Sequence, residues 1–267
     1  MSDIRSQSKL KRILVDGSKE LGIELSEKQV NQFLTYLEIL QDWNKRMNLT
    51  SLKDPKEIII THFLDSLTTT KGIEEIGPIT PYPNFNLQSN KVLPKGQVLI
   101  RVMDIGTGAG FPGIPLKILR PEISLSLLDS SKKRIKFLEY LSKSLKLEGL
   151  ETIWGRAEEY GRKEGYRGRY DIVLARALAR LNILVELGIP FLKIRGLFIV
   201  QKGQKLKEEL EEARKAIEIL GGELKGIISL RLPFSRKLRK LIIIEKILET
   251  SDRFPRRSGI PQKRPLK

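Results

Sequence analysis

The sequence predicts an α/β protein with a doubly wound, mostly parallel sheet, an antiparallel hairpin at its C-terminal edge and a helical segment at its N-terminus. Three observations predict this fold. Apolar residues recur at helical spacing through the first part of the chain, short apolar runs then alternate with helical stretches, and two strand-like runs follow each other directly near the end. A chain of 267 residues is long enough for one medium domain with a substantial appendage, or for two small domains.

The N-terminal segment, residues 1–72, is predicted to be helical. From Ser26 onward, apolar residues follow each other every three or four positions for about five turns, and the sequence at the start resembles a capping box. A shorter amphipathic helix is expected over residues 10–21, and another after Pro55. Residues 73–96 are rich in proline, and their apolar residues show no helical or strand periodicity, so we expect a connecting loop there.

Residues 97–248 are predicted to form the sheet and its helices. Short apolar runs typical of buried parallel strands cover residues 98–103, 123–128, 172–174 and 197–200, with a further strand ending near Trp154. Helical stretches between them cover residues 112–120, 131–147, 180–193 and 205–220, which completes repeated βα units. Two last runs, 224–232 and 238–247, are separated by a short turn and are expected to pair antiparallel at the sheet edge.

The charge of the chain predicts a polyanionic partner. The 49 Lys and Arg residues outnumber the 32 Asp and Glu residues, which leaves a net charge of +17. Nucleic acid is the favoured partner. A thermophile-like charged surface and an anionic membrane surface remain as alternatives, although the first would be closer to charge balance.

Cysteine and histidine usage limits the possible chemistry. The chain has no cysteine and one histidine, which excludes disulfides, thiolate metal sites and the usual His-rich zinc sites, so we expect no metal. No apolar stretch approaches the roughly 20 residues that a membrane span needs, and the polar N-terminus does not resemble a signal peptide. We therefore expect a cytoplasmic protein without a membrane partner.

A glycine-rich loop follows the first predicted strand and opens a helix, the setting in which a ligand can approach the backbone closely. It can be read as Asp-x-Gly-x-Gly-x-Gly, from Asp104 through Gly106 and Gly108 to Gly110, or as the dinucleotide pattern Gly108, Gly110 and Gly113. Asp104 would repel a pyrophosphate but would complement the ammonium and sulfonium groups of S-adenosylmethionine. This cofactor is favoured, and an NAD-type oxidoreductase remains the rival.

Other candidate cofactor residues stand where predicted strands end. Asp129 could accept both hydroxyls of an adenosyl ribose, or it could cap the following helix. Ala157 and Glu158 follow the third strand and could line an adenine, although Glu158 could equally be solvated. Arg176 ends the strand YDIVLAR at the carboxyl edge, where open α/β sheets bind ligands; a surface ion pair is the alternative.

Several motifs together resemble the bacterial small-subunit ribosomal RNA methyltransferase G family, also called glucose-inhibited division protein B, over residues 44–267. They are Met47-Asn48-Leu49-Thr50, His62 through Leu67, Asp104 through Pro115, Leu128-Asp129-Ser130, Arg156-Ala157-Glu158, Ala175-Arg176-Ala177, Lys202-Gly203 and the run from Pro255 to Pro265. The Pro-rich insertion around residues 75–96 departs from many shorter members of the family.

The resemblance implies a Rossmann-like class I methyltransferase that transfers a methyl group from S-adenosylmethionine to N7 of one guanine in the decoding region of 16S ribosomal RNA, forming 7-methylguanosine. It implies that Gly106, Phe111, Ala157, Glu158 and Arg176 bind the cofactor. The expected partner is 16S ribosomal RNA or the small ribosomal subunit, and we expect a monomer.

Candidate RNA contacts come from three parts of the chain. Asn48, His62 and Lys202 are substrate-side candidates, although a lone histidine among apolar residues is more typical of a packing or hydrogen-bonding group. N7 attack needs no general base, so no catalytic base is predicted. A nonenzymatic RNA-binding or ribosome-assembly module would explain the charge equally well.

The basic tail, residues 249–267, is expected to pack little and to contact phosphate. Its candidate phosphate ligands are Arg253, Arg256, Arg257, Lys263, Arg264 and Lys267. Truncation after Leu248 should then weaken RNA binding and leave cofactor affinity intact. Alternatively, the prolines let the tail wrap back across the fold, in which case truncation lowers thermal stability.

Overall fold

The computed structural model describes residues 2–74, 100–176, 179–203 and 206–267, with the backbone alone for residues 2–6. Most of the predicted connecting loop, from residue 75 onward, lies outside these residues, as do residues 98 and 99 of the predicted first strand.

The N-terminal segment is helical, as predicted. Two long helices, α1 (Ser2–Glu20) and α2 (Glu27–Met47), are followed by α3 (Pro55–Ile58), a π-helical turn (Ile59–Leu64), α4 (Asp65–Leu67) and α5 (Thr69–Glu74). A capping box begins α2: the Ser26 hydroxyl accepts from Gln29 N at 3.3 Å, and Gln29 Oε1 accepts from Ser26 N at 2.8 Å.

A single seven-stranded sheet forms the centre of the fold. Its strands are β1 (Arg101–Ile105), β2 (Ser124–Asp129), β3 (Leu150–Trp154), β4 (Tyr170–Arg176), β5 (Leu192–Lys202), β6 (Gly222–Arg231) and β7 (Leu238–Lys246), in the order β3-β2-β1-β4-β5-β7-β6. The first five strands in this order pair in parallel, and β7 pairs antiparallel with both β5 and β6. The predicted fold class is confirmed, including the antiparallel hairpin at the C-terminal edge.

The remaining helices alternate with the strands. They are α6 (Gly113–Leu119), α7 (Lys132–Ser144), α8 (Ala157–Tyr160), α9 (Leu181–Gly188) with a 3-10 turn (Ile189–Phe191), α10 (Lys207–Ile219) and α11 (Ile260–Lys263). Successive strand residues face opposite sides, so Val102 packs in one apolar core with residues of α1, α2, α6 and α7, while Met103 packs in a second with α9 and α10.

The N-terminal helices share the first of these cores with the sheet. Gln29 on α2 donates from Nε2 to the carbonyls of Ile118 and Leu119 at the end of α6, at 3.1 and 3.0 Å. Gln32 donates likewise to the carbonyl of Leu145, at 2.8 Å. These bonds fix α2 across the C-terminal ends of two sheet helices.

The C-terminal residues 249–267 pack against the fold, contrary to the expectation of a tail with little that could pack. Phe254 is buried, and the carbonyls of Phe254 and Pro255 accept from Arg167 Nη1 at 2.7 Å and Arg162 Nε at 2.6 Å. Arginines that follow α8 therefore satisfy the backbone of a segment that has few apolar side chains of its own. The segment wraps back across the fold, which was the stated alternative.

Candidate functional site

The glycine-rich loop leaves β1 in a backbone conformation that glycine adopts without strain. Gly106, Gly108 and Gly110 have φ values of +64°, +63° and +97°. A Cβ atom on Gly108 would meet nothing within 4 Å, whereas one on Gly110 would lie 2.6 Å from Ile114 Cδ1. The loop therefore packs tightly at Gly110 and is open at Gly108, where a ligand could reach the backbone.

Asp104, at the end of β1, holds this loop from inside. Its Oδ2 accepts from Thr107 Oγ1 at 2.7 Å and from Gly113 N at 2.8 Å. Within the described part of the chain, its fully buried Oδ1 has no hydrogen-bond partner. Burial raises the pKa of Asp104 to about 7, although the bonds from Thr107 and Gly113 oppose this. One buried carboxylate oxygen thus lacks a partner within the described residues, and a cationic group such as the amino group of S-adenosylmethionine would complement it.

Gly113, which completes the dinucleotide pattern, has a packing role in this structure. A Cβ atom there would lie 2.8 Å from both Asp104 Oδ2 and Leu127 Cδ2. The residue must be small because α6 begins directly against the Asp104 side chain. Packing against Asp104 therefore explains the third glycine of the dinucleotide pattern, and no bound pyrophosphate is needed to explain it.

Asp129 ends β2 beside the loop and is almost fully buried. Its Oδ2 accepts from Gly108 N at 2.9 Å, and its Oδ1 accepts from Ser131 N at 2.8 Å. The N-cap of α7 is Ser131, not Asp129, since the Ser131 hydroxyl accepts from Arg134 N. Asp129 therefore ties the glycine loop to the second strand, in the position proposed for ribose hydroxyls.

A first cavity of about 200 Å³ lies against these groups, and we call it the adenosyl cavity. It brings together four of the predicted cofactor residues: Gly106, Asp129, Ala157 and Glu158. Pro261 and Gln262, from the C-terminal segment, also line it. The sequence did not predict these two residues, because no sequence pattern relates them to strands more than 100 residues earlier.

A second cavity of about 380 Å³ lies at the carboxyl ends of β4 and β5, and we call it the arginine cavity. Its lining residues are Thr61, His62, Asp65, Arg176, Gln201, Lys202, Gly203 and Arg239. Arg176, predicted to bind the cofactor, lines this cavity and not the adenosyl cavity. Asp104, Gly108, Gly110 and Phe111 do not line the adenosyl cavity either. Phe111 stacks on His62, with ring centroids 4.6 Å apart.

His62 lies in the π-helical turn with both ring nitrogens occupied. Nδ1 is 2.8 Å from Arg176 Nη2, and Nε2 is 2.8 Å from Thr50 Oγ1. An arginine can only donate, so Nδ1 accepts and the ring proton is on Nε2, where it is donated to Thr50. Burial and the neighbouring Arg176 lower the pKa of His62 to about 3. The imidazole is therefore neutral at physiological pH.

Asp65 connects the two arginines of this cavity. Arg239 Nε donates to its two carboxylate oxygens at 3.0 and 2.9 Å, and Arg176 Nη1 lies 3.6 Å from Oδ2. The Arg176 guanidinium also lies over the Phe111 ring, 5.0 Å from its centroid. Asp65 belongs to the family motif His62 through Leu67 but was not predicted as a site residue. The feature that could have indicated it is an acidic residue three positions after His62 in an apolar helix.

Two predicted RNA contacts are engaged within the protein. Lys202 Nζ pairs with Glu209 Oε2 at 2.7 Å and donates to the carbonyl of Ala179. Arg256 forms a two-point ion pair with Glu186, which is fully buried. Both cations are paired within the protein in this conformation, and their contact with phosphate stays a prediction.

His62 is half-buried, and the remaining RNA candidates are exposed. Asn48 ends α2 in the left-handed conformation, with φ +48°, and lines a groove at the end of that helix. The exposed basic residues of the C-terminal segment are Arg253, Arg257, Lys263, Arg264 and Lys267. Among the residues that the structure describes, no three His, Cys, Asp or Glu side chains form a group that could hold a metal ion. No helix in the same residues is long and apolar enough to cross a membrane.

A family model described as rRNA small subunit methyltransferase G matches residues 29–79 and 86–239. The chain belongs to this family. Its relatives named ribosomal RNA small subunit methyltransferase G include one from Alkaliphilus metalliredigens, 44% identical over 96% of this chain and 99% of the relative. Another is from Acetivibrio thermocellus, 42% identical over 97% of each chain.

Family membership confirms the resemblance found in the sequence. The chain is an enzyme, a methyltransferase that depends on S-adenosylmethionine. The oxidoreductase and the nonenzymatic RNA-binding module are thereby excluded. The open backbone at Gly108 and the free oxygen of Asp104 are consistent with this cofactor.

Proposed function

We propose that this enzyme methylates N7 of a guanine in the decoding region of 16S ribosomal RNA, with S-adenosylmethionine in the adenosyl cavity and the guanine in the arginine cavity. Both cavities open at the carboxyl ends of parallel strands. The adenosyl cavity lies at the ends of β1, β2 and β3, and the arginine cavity lies at the ends of β4 and β5. Phe111, from the glycine loop, contacts His62 and Arg176 of the arginine cavity, so the loop borders both.

The residues of the adenosyl cavity, together with the neighbouring Asp104 and Gly108, suit the parts of the cofactor. The open backbone at Gly108 and the free oxygen of Asp104 would hold the methionine part, Asp129 the ribose hydroxyls, and Ala157 with Glu158 the adenine. Bound there, S-adenosylmethionine supplies an electrophilic methyl group on a sulfonium. The protein supplies orientation and a partly dry site.

The observation that carries the choice of N7 is that the acceptor atoms of His62 and Asp65 are already used by arginines. Among the described residues lining the arginine cavity, these two are the groups that could otherwise remove a proton from the substrate. Purine N7 offers a lone pair and loses no proton when it is methylated, so it needs no base. Exocyclic amines and ribose hydroxyls must lose a proton.

Ribosomal RNA fits the charge of the chain. A net charge of +17 favours phosphate binding, and the exposed Arg253, Arg257, Lys263 and Arg264 extend that charge along the C-terminal segment. Asn48 is a further candidate because its groove begins where Thr50 contacts His62. An unpaired loop base would then enter the arginine cavity.

The function is tested by transfer of a labelled methyl group. The purified chain is incubated with labelled S-adenosylmethionine and either 16S ribosomal RNA or small subunits from cells that lack the protein. We expect incorporation into one of these substrates by the natural chain and by Gly226→Val, since a Cβ atom on Gly226 meets nothing within 4 Å. Gly106→Val, the same substitution in the glycine loop, should be inactive. Absence of incorporation by the folded natural chain into either substrate would refute the proposal.

A further inference from the structure

We infer that residues 256–262, here called the C-terminal clasp, form part of the cofactor site: they line the adenosyl cavity and position Glu158. This inference rests on the proposed function, which places S-adenosylmethionine in that cavity. It reverses the sequence-based expectation that the tail serves RNA alone and that cofactor affinity is independent of it.

The clasp is anchored at its first residue. Arg256 donates from its backbone N to Glu186 Oε1 at 2.8 Å, from Nε to the same oxygen at 2.9 Å and from Nη2 to Oε2 at 2.6 Å. Glu186 lies on α9 and has no exposed surface. Charged bonds to a buried carboxylate are short, strong and costly to break, because an unpaired charge would remain inside the protein. The anchor therefore fixes where the clasp begins.

Two and three residues after the anchor, the clasp contacts α8, which carries Glu158 of the adenosyl cavity. Gly259 N donates to Glu158 Oε1 at 3.0 Å, and the Ser258 hydroxyl donates to Glu159 Oε1 at 3.2 Å. Gly259 has a φ of +81°, which glycine adopts readily and which turns the chain into α11. Because Glu158 is the carboxylate proposed to face the adenine, the Gly259 N–H is a positioning contact.

The end of the clasp forms the cavity wall itself. Pro261 is buried and, with Gln262, lines the adenosyl cavity together with Gly106 and Asp129. A glutamine amide carries a donor and an acceptor side by side, the combination that matches the N6 and ring-nitrogen edge of adenine. Gln262 is therefore assigned as a residue that recognises the adenine of the cofactor.

Truncation after Ser258 tests the clasp without removing its anchor. It deletes the Gly259 contact and both wall residues, keeps the Arg256 ion pair, and also removes the positive charges of Lys263, Arg264 and Lys267. The matched control is the full-length triple variant Lys263→Gln/Arg264→Gln/Lys267→Gln, which loses the same three charges and keeps the wall. Affinity for S-adenosylhomocysteine is measured by calorimetry without RNA.

We expect the truncated chain to bind S-adenosylhomocysteine about tenfold more weakly, and the triple variant to stay within about twofold of the natural chain. Equal affinity of the folded truncated chain and the natural chain would overturn the inference. Failure of the natural chain itself to bind would instead overturn the proposed function. If the truncated chain does not fold, the full-length variant Pro261→Gly/Gln262→Ala replaces it, and there too unchanged affinity would overturn the inference.

Discussion

The hydrogen bonds of His62 predict how the methyl-transfer rate depends on pH. The ring is neutral, its Nδ1 lone pair accepts from Arg176, and its Nε2 proton is donated to Thr50. With a pKa of about 3, only about 0.1% of the ring is protonated at pH 6. Titration of His62 therefore cannot change the rate across the neutral range.

A histidine base with an ordinary pKa would behave differently. With a pKa near 6.5, its neutral fraction would rise from about 9% at pH 5.5 to about 97% at pH 8, and the rate would rise about tenfold. We predict less than about a twofold change over this range, because the base is absent from the mechanism. His62→Asn and His62→Gln should lose less activity than the roughly 10²- to 10⁴-fold typical when a general base is removed.

The assay is single-turnover methyl transfer at saturating RNA and saturating cofactor. Saturation matters because Asp104, with a pKa of about 7, can alter cofactor affinity in the same pH range. A rising limb near pH 6.5 that disappears in a correctly folded His62 variant would refute the base-free mechanism. It would also remove the main chemical support for N7 as the acceptor.

Three further predictions concern the cofactor loop and the buried charges. Gly106→Val should abolish S-adenosylhomocysteine binding in calorimetry, because the residue lines the adenosyl cavity and has a φ of +64°. The circular dichroism spectrum of this variant should stay native. Asp129→Ala should weaken that binding by about 1–3 kcal/mol, and unchanged affinity would argue against a ribose contact. Asp65→Ala leaves the Arg176 and Arg239 charges without their carboxylate, so urea denaturation should show a loss of about 3–5 kcal/mol in the free energy of unfolding. A loss below about 1 kcal/mol would mean that solvent already screens this cluster.

The sheet could be predicted from the sequence because its strands are short apolar runs between helices. The boundary of β5 could not: residues 180–193 were predicted to be one helix, whereas α9 ends at Gly188 and β5 begins at Leu192. Both elements are apolar there, so periodicity does not separate them. The π-helical turn around His62 likewise has no sequence signature that distinguishes it from an ordinary helix.

The site residues that lie at the ends of strands could be predicted from the sequence. Asp104, Gly106 and Asp129 follow apolar runs directly, and topology alone brings such positions together. The arginine cavity was not predictable, because His62 and Arg176 are 114 positions apart and meet through side chains. The clasp was missed for a different reason: its packing relies on backbone carbonyls bound by arginines elsewhere in the chain, which tail composition cannot reveal.

Attachment of the methyl group to guanine N7 is tested most directly by nucleoside analysis of the product. Ribosomal RNA methylated by the purified enzyme with labelled S-adenosylmethionine is digested to nucleosides, separated and identified by mass spectrometry. We expect the label to be recovered as 7-methylguanosine. Recovery of the label in a guanosine methylated on its exocyclic amine, in a 2′-O-methylated nucleoside or in a base other than guanine would contradict it.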